Sequence, residues 1–73
     1  PVAVDSTFAT FYFQKPLSFG IDIVIYSTTK YIGGHSDSIG GVVVSSKDNI
    51  EKIKDKTLAD LGGVMSPFNA WLF

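Results

Sequence analysis

The sequence predicts an α/β fold whose strands are buried on both faces, and three observations carry that prediction. Residues 21–27 hold Ile21, Ile23, Val24, Ile25 and Tyr26 behind Gly20, a β-branched and aromatic run of strand length. Residues 41–45 place three consecutive valines between Gly41 and Ser45, a second strand. From about Lys47 to Leu61, the side chains of Ile50, Ile53, Leu58 and Leu61 recur near helical spacing.

Taken in order, Pro1 to Asp5 is a short apolar segment ending on a carboxylate, as at the C-terminal end of a buried strand. Residues 6–20 are irregular and aromatic, with Pro16 placed to open a short helical turn. The 21–27 strand is apolar on both faces apart from Asp22, which puts it in the middle of a sheet covered on both sides, as parallel strands usually are. Gly33, Gly34, Gly40 and Gly41 make residues 27–41 a structured loop. Asp48 and Glu51 have capping-box spacing at the start of the 47–61 helix, and Gly62 and Gly63 stop it. Ser66 followed by Pro67 is an N-cap and first-turn proline for one more helix. Two or three such strands need helices on both faces, and about one and a half helices are present. The expectation is a fragment, residues 1–73 forming no complete domain.

Composition narrows the class. An apolar content of 45% and a net charge of −1 argue against disorder and give no electrostatic reason for a nucleic-acid partner. No apolar run approaches the roughly 20 residues that span a bilayer, and no secretory leader pattern is visible, so no membrane role and a cytoplasmic location are expected. With no Cys, neither disulfides nor thiolate zinc sites are available. A chain of this length buries only about 60% of its unfolded surface, so its stability has to come from packing.

Two residues invite chemistry. Lys30 follows directly on a strand end, among the hydroxyls of Ser27, Thr28 and Thr29. A lysine that forms a Schiff base needs a cleft in which its amine is neutral, and strand ends of α/β sheets supply such clefts. The plain alternative is a solvent-facing loop lysine. Asp5 ends an apolar segment, where a carboxylate can hold the pyridine nitrogen of pyridoxal phosphate protonated and make the ring an electron sink. Its plain alternative is a cap on the turn after a strand. His35 and Asp37 sit two apart among glycines, but one His and one Asp make an incomplete ligand set, so no metal site is expected.

In order and spacing, Val4-Asp5-Ser6-Thr7-Phe8-Ala9-Thr10, Gln14-Lys15-Pro16-Leu17, Asp22-Ile23-Val24, Ser27-Thr28-Thr29-Lys30-Tyr31 and Gly34-His35-Ser36-Asp37 resemble the Cys/Met-metabolism family of pyridoxal-phosphate enzymes. Leu61-Gly62-Gly63-Val64 and Ser66-Pro67-Phe68-Asn69-Ala70-Trp71-Leu72 are similar to the segment downstream of that family's lysine. The family includes cystathionine γ-synthase, cystathionine lyases, methionine γ-lyase and homoserine sulfhydrylases. The resemblance implies part of the large, cofactor-binding α/β domain of a fold-type I enzyme that uses pyridoxal 5'-phosphate.

The resemblance also implies roles. Lys30 would carry the cofactor and shuttle the α-proton of an amino-acid substrate. Asp5 would partner the pyridinium nitrogen and Thr7 would help hold the ring. Ser27 and Thr29 would donate to the phosphate, with Thr28 pointing away. The reaction would be β/γ-elimination or replacement on sulfur amino acids or homoserine esters, in a full-length homo-oligomer, dimer or tetramer. Ser6, Phe11, Thr28 and Gly33 depart from the family's usual Asn, Pro, Ala and Asn. The ring-stacking Tyr, the Tyr and Arg lent across a dimer interface and the Arg that grips the substrate carboxylate have no counterpart among these residues. The competing reading is a non-catalytic structural or interaction fragment that keeps the pattern without the chemistry. The joint presence of Asp5, Ser27, Thr29 and Lys30 argues against it.

Overall fold

Three strands form one sheet in the order β1-β2-β3: β1 (Ala3–Asp5), β2 (Ile23–Ser27) and β3 (Gly41–Ser45). The computed structural model describes residues 1–34 and 37–73. β2 lies in the middle, as its two-sided apolar pattern requires. It runs parallel to β1, with Asp5 opposite Ile25, and antiparallel to β3, with Tyr26 opposite Val42.

Between β1 and β2 the chain makes a short helix α1 (Thr10–Phe13) and a 3-10 turn, Pro16–Phe19, in which Pro16 takes the first position as expected. Gly20 ends that turn at φ 87°, a left-handed conformation that glycine adopts without the cost of a Cβ. The 27–41 segment is less irregular than its glycines imply. Thr28–Ile32 form one wide helical turn directly after β2.

The helix expected over 47–61 is present as α2 (Lys47–Ile53), a wide turn Lys54–Leu58 and a last turn α3 (Ala59–Leu61), closed by Gly62 at φ 68°. Its N-cap is Ser46, whose hydroxyl accepts from the Asn49 amide, so Asp48 is not the capping residue. Asp48 stands in the first turn instead, where its charge favours the helix dipole. The helix α4 (Pro67–Leu72) has the expected Ser66 cap, accepting from the Asn69 amide at 3.2 Å.

Strand alternation puts Val4, Val24, Tyr26, Val42 and Val44 on one face and Ala3, Asp5, Ile23, Ile25, Ser27 and Val43 on the other. Val24 and Tyr26 are the buried apolar residues, with Phe11 edge-on to Tyr26 at 6.3 Å. Ile25, on the opposite face, stays 39% exposed. The sequence pattern asks for cover on both faces, and these residues supply it fully only over Val24 and Tyr26, since Val42 and Val44 on the same face are 39% and 38% exposed.

Size and shape agree with that deficit. The accessible surface is 5576 Å², against about 4400 Å² for a self-sufficient chain of this mass. The residues form a slab of 33 × 33 × 14 Å with large aromatic side chains exposed, Phe8, Tyr12, Phe13 and Trp71 among them. No helix among the described residues is long and apolar enough to cross a membrane.

Candidate functional site

The site is built where the two parallel strands end. The Ser6 amide donates to the Ile25 carbonyl at 2.9 Å, carrying the β1–β2 ladder one step past Asp5. Thr7 then folds back on Asp5. Its amide donates to Asp5 Oδ1 at 3.0 Å and its hydroxyl donates to the same oxygen. The Thr7 hydroxyl in turn accepts the Ser27 amide at 2.9 Å. Asp5, Thr7 and Ser27 are thus one hydrogen-bonded unit at the C-terminal edge of a parallel strand pair, the edge at which open α/β sheets bind ligands.

The Thr7 hydroxyl, and after it the Thr7 amide, hold the Asp5 carboxyl below its ordinary value of 3.8, against a smaller opposing effect of burial. Both donors go to Oδ1. Asp5 Oδ2 makes no hydrogen bond among the described residues, so the carboxylate presents one bare oxygen on the face it shares with Ile25 and Ser27.

Lys30 lies in the turn that follows Ser27. Bonds from the Gly33 amide to the Thr28 carbonyl (2.9 Å) and from the Gly34 amide to the Lys30 carbonyl (3.0 Å) close that turn. The backbone leaves helical geometry at Lys30, with φ −87° and ψ −105°, and the lysine side chain is exposed.

The turn is fastened to the entry of β3. Gly40 O accepts both the Thr28 and Thr29 amides, and Thr29 Oγ1 accepts the Gly40 amide at 3.0 Å while donating to Gly40 O at 3.3 Å. Thr28 is buried, with its hydroxyl unpartnered, in the same place where a Cβ on Gly40 would strike Thr28 Oγ1, Met65 and Phe73. The Phe8 ring tilts against Tyr31 at 6.0 Å, so the segment leaving Thr7 touches the turn that carries Lys30.

Of the residues singled out in the sequence, Asp5, Thr7 and Ser27 are joined directly. Thr29 is bound to Gly40 instead, and no hydrogen bond links Lys30 to Asp5 among the described residues. Sequence reasoning missed Gly40 and the Phe8–Tyr31 contact. The Gly40-Gly41 pair was the available signal for the first, while nothing in the sequence marked the second. Two concavities, about 450 and 420 Å³, share Phe11, Tyr26 and Val44 and so open on the face opposite Asp5. Among the described residues no group of three His, Cys, Asp or Glu side chains could hold a metal, and His35 lies outside those residues.

The pattern of the family described as Cys/Met metabolism PLP-dependent enzyme matches residues 1–73. The chain belongs to this family. It is 56% identical over 71 residues to the canavanine gamma-lyase of Rhizobium leguminosarum bv. trifolii, covering 97% of this chain and 18% of that protein. To the cystathionine gamma-lyase of Bacillus subtilis it is 48% identical over 69 residues, 94% of this chain and 18% of that one. The crystal structure of cystathionine gamma-lyase from yeast superposes with a TM-score of 0.89 at 46% identity, covering 97% of this chain and 18% of that chain. The fold is therefore the fold-type I α/β architecture expected, and the chain spans about a fifth of the length of the relatives it matches.

The family's cofactor is pyridoxal phosphate, and the residues present fit it. Asp5 Oδ2 is a bare acceptor for a ring N–H, the Ser27 hydroxyl makes no hydrogen bond among the described residues, and Lys30 is an unencumbered amine in the adjoining turn.

Proposed function

We propose that the full-length protein carrying this chain is a pyridoxal-phosphate-dependent lyase or synthase acting by β/γ-elimination or replacement on sulfur amino acids or homoserine esters. The observation that carries the proposal is the Asp5–Thr7–Ser27 unit at the strand ends, three residues before Lys30. Bound there, pyridoxal phosphate supplies an electron sink beside the substrate's α-carbon.

The chain's own residues do the rest. Asp5 Oδ2 would accept the ring N–H and hold negative charge against it. The Ser27 hydroxyl would donate to the phosphate. Thr29 would reach the phosphate by giving up its 3.3 Å contact with Gly40 O while keeping the shorter bond from the Gly40 amide, because a bond that long contributes little. Lys30 would hold the cofactor through its amine and, when that amine is free, would carry a proton between the α-carbon and the side chain of the substrate. The uncovered sheet face and the exposed aromatics support a homo-oligomer in which the remainder of the protein and a second copy close the site.

Within this class, 56% identity to a canavanine gamma-lyase favours a second reading of the substrate, canavanine in place of a sulfur amino acid. Borohydride reduction of the full-length protein, followed by peptide mapping, tests the cofactor lysine. The reduced cofactor is expected on Lys30, and its recovery on Lys15 or Lys47 overturns the assignment. Consumption of cystathionine, methionine and canavanine, compared at equal enzyme concentration, decides between the substrates.

A further inference from the structure

We infer that Thr7 is a positioning residue that acts on the cofactor through Asp5: it fixes Asp5 Oδ1, presents Oδ2 alone to the ring nitrogen, and ties that carboxylate to the end of β2. The inference rests on the reading of Asp5 given above and departs from the expectation that Thr7 holds the ring itself.

The geometry carries it. A threonine hydroxyl has one proton to donate, and that of Thr7 goes to Asp5 Oδ1. One of its two lone pairs takes the Ser27 amide at 2.9 Å. The hydroxyl has no second proton for a ligand. A donor that is itself accepting a hydrogen bond is polarised and donates more strongly, so the Ser27 amide reinforces the grip of Thr7 on the carboxylate. The Thr7 amide adds a second bond to the same oxygen.

Asp5 needs such a grip. Its side chain is exposed and would otherwise turn freely in solvent, whereas Thr7 is 8% exposed and fixed between two strands. With Oδ1 held twice, that oxygen is taken, and Oδ2 is the one left without a partner among the described residues. The β-branched side chain suits the task, because Thr has a stiff χ1 that keeps its hydroxyl between Asp5 and Ser27.

The test uses the full-length protein loaded with pyridoxal phosphate labelled with 15N in the ring, and reads the ring-nitrogen chemical shift against pH. In Thr7→Val, which keeps the shape and the amide but removes the hydroxyl, the deprotonation midpoint of the ring nitrogen should fall by up to about one pH unit, the low end of what a nearby opposite charge contributes, because the charge remains and only its placement is lost. Thr7→Ser should titrate as the wild type does. Asp5→Asn should shift the midpoint further, and adding Thr7→Val to Asp5→Asn should change nothing more, because a residue acting through Asp5 has no effect once the carboxylate is gone. If Thr7→Val does not fold, Thr7→Ala is measured in its place with the same expectation. A wild-type titration in the hydroxyl-less variant overturns the inference, as does a shift that adds to that of Asp5→Asn, which would mean Thr7 touches the ring directly. A wild-type titration in Asp5→Asn itself overturns the reading of Asp5, a separate result from either.

Discussion

The Ser27 amide donates to the Thr7 hydroxyl at 2.9 Å across two parallel strands, twenty residues apart in sequence. That bond locks the exit of β1 to the exit of β2. It puts the acidic residue of one strand and the hydroxyl and lysine that follow the other on a common edge, so the spacing of the site is set by strand pairing and not by loop flexibility.

Replacing Asp5 with Asn is expected to leave the cofactor bound but to slow turnover of the full-length protein by roughly a hundredfold or more, the usual effect of removing one preorganised electrostatic partner from a developing charge. Steady-state kinetics at saturating cofactor checks this. Turnover near that of the wild type would make Asp5 a structural residue.

Acid should expose the same carboxylate. The folded-state value for Asp5 lies below its ordinary 3.8, so its contribution to stability is fully present above the unfolded value and is lost as pH falls through the folded one. The difference in unfolding free energy between the wild-type protein and Asp5→Asn should be constant from neutrality down to about pH 5 and shrink as the pH drops below the normal carboxylate range. Denaturant titrations across that range measure it. A difference that grows in acid would mean that the folded protein raises this carboxyl.

At Gly40 an added Cβ would come within 2.7 Å of Thr28 Oγ1, Met65 and Phe73. Met65 can swing aside, but Thr28 is buried and held by its amide bond to Gly40 O. Gly40→Ala should therefore destabilise the protein by about 1–3 kcal/mol, the range for overpacking, and weaken cofactor binding by shifting the turn that holds Thr29 and Lys30. Chemical denaturation and a cofactor titration read the two effects. Unchanged stability together with unchanged affinity would show that the turn is not anchored at Gly40.

Taken alone, the 73-residue polypeptide should associate or remain partly disordered and should bind no cofactor specifically. Val24 and Tyr26 are its buried apolar residues, while Phe8, Tyr12, Phe13 and Trp71 stand in solvent, a surface that favours self-association. Light scattering and a pyridoxal-phosphate titration beside an unrelated lysine-containing peptide provide the check. Saturable binding confined to Lys30, with a monomeric light-scattering mass, would contradict it.

The sequence by itself determined a strand within 21–27, observed as Ile23–Ser27, the strand at 41–45, the helix over 47–61 and the Ser66 cap, because periodicity and capping are local properties of neighbouring residues. It also placed the chain in its family, since several spaced motifs agree at once. It misassigned the cap at Asp48, where two residues that can cap a helix stand close together and only backbone geometry selects Ser46. Tertiary structure alone decided that β3 runs antiparallel to β2 and that the Thr28–Ile32 turn is fastened to Gly40. It alone gave the Thr7 hydroxyl to Asp5 and the Ser27 amide to Thr7. Those relationships join residues distant in sequence through single hydrogen bonds, and a bond of that kind leaves no periodic or compositional trace. It exists only once the strands have paired in register and brought donor and acceptor to within 3 Å.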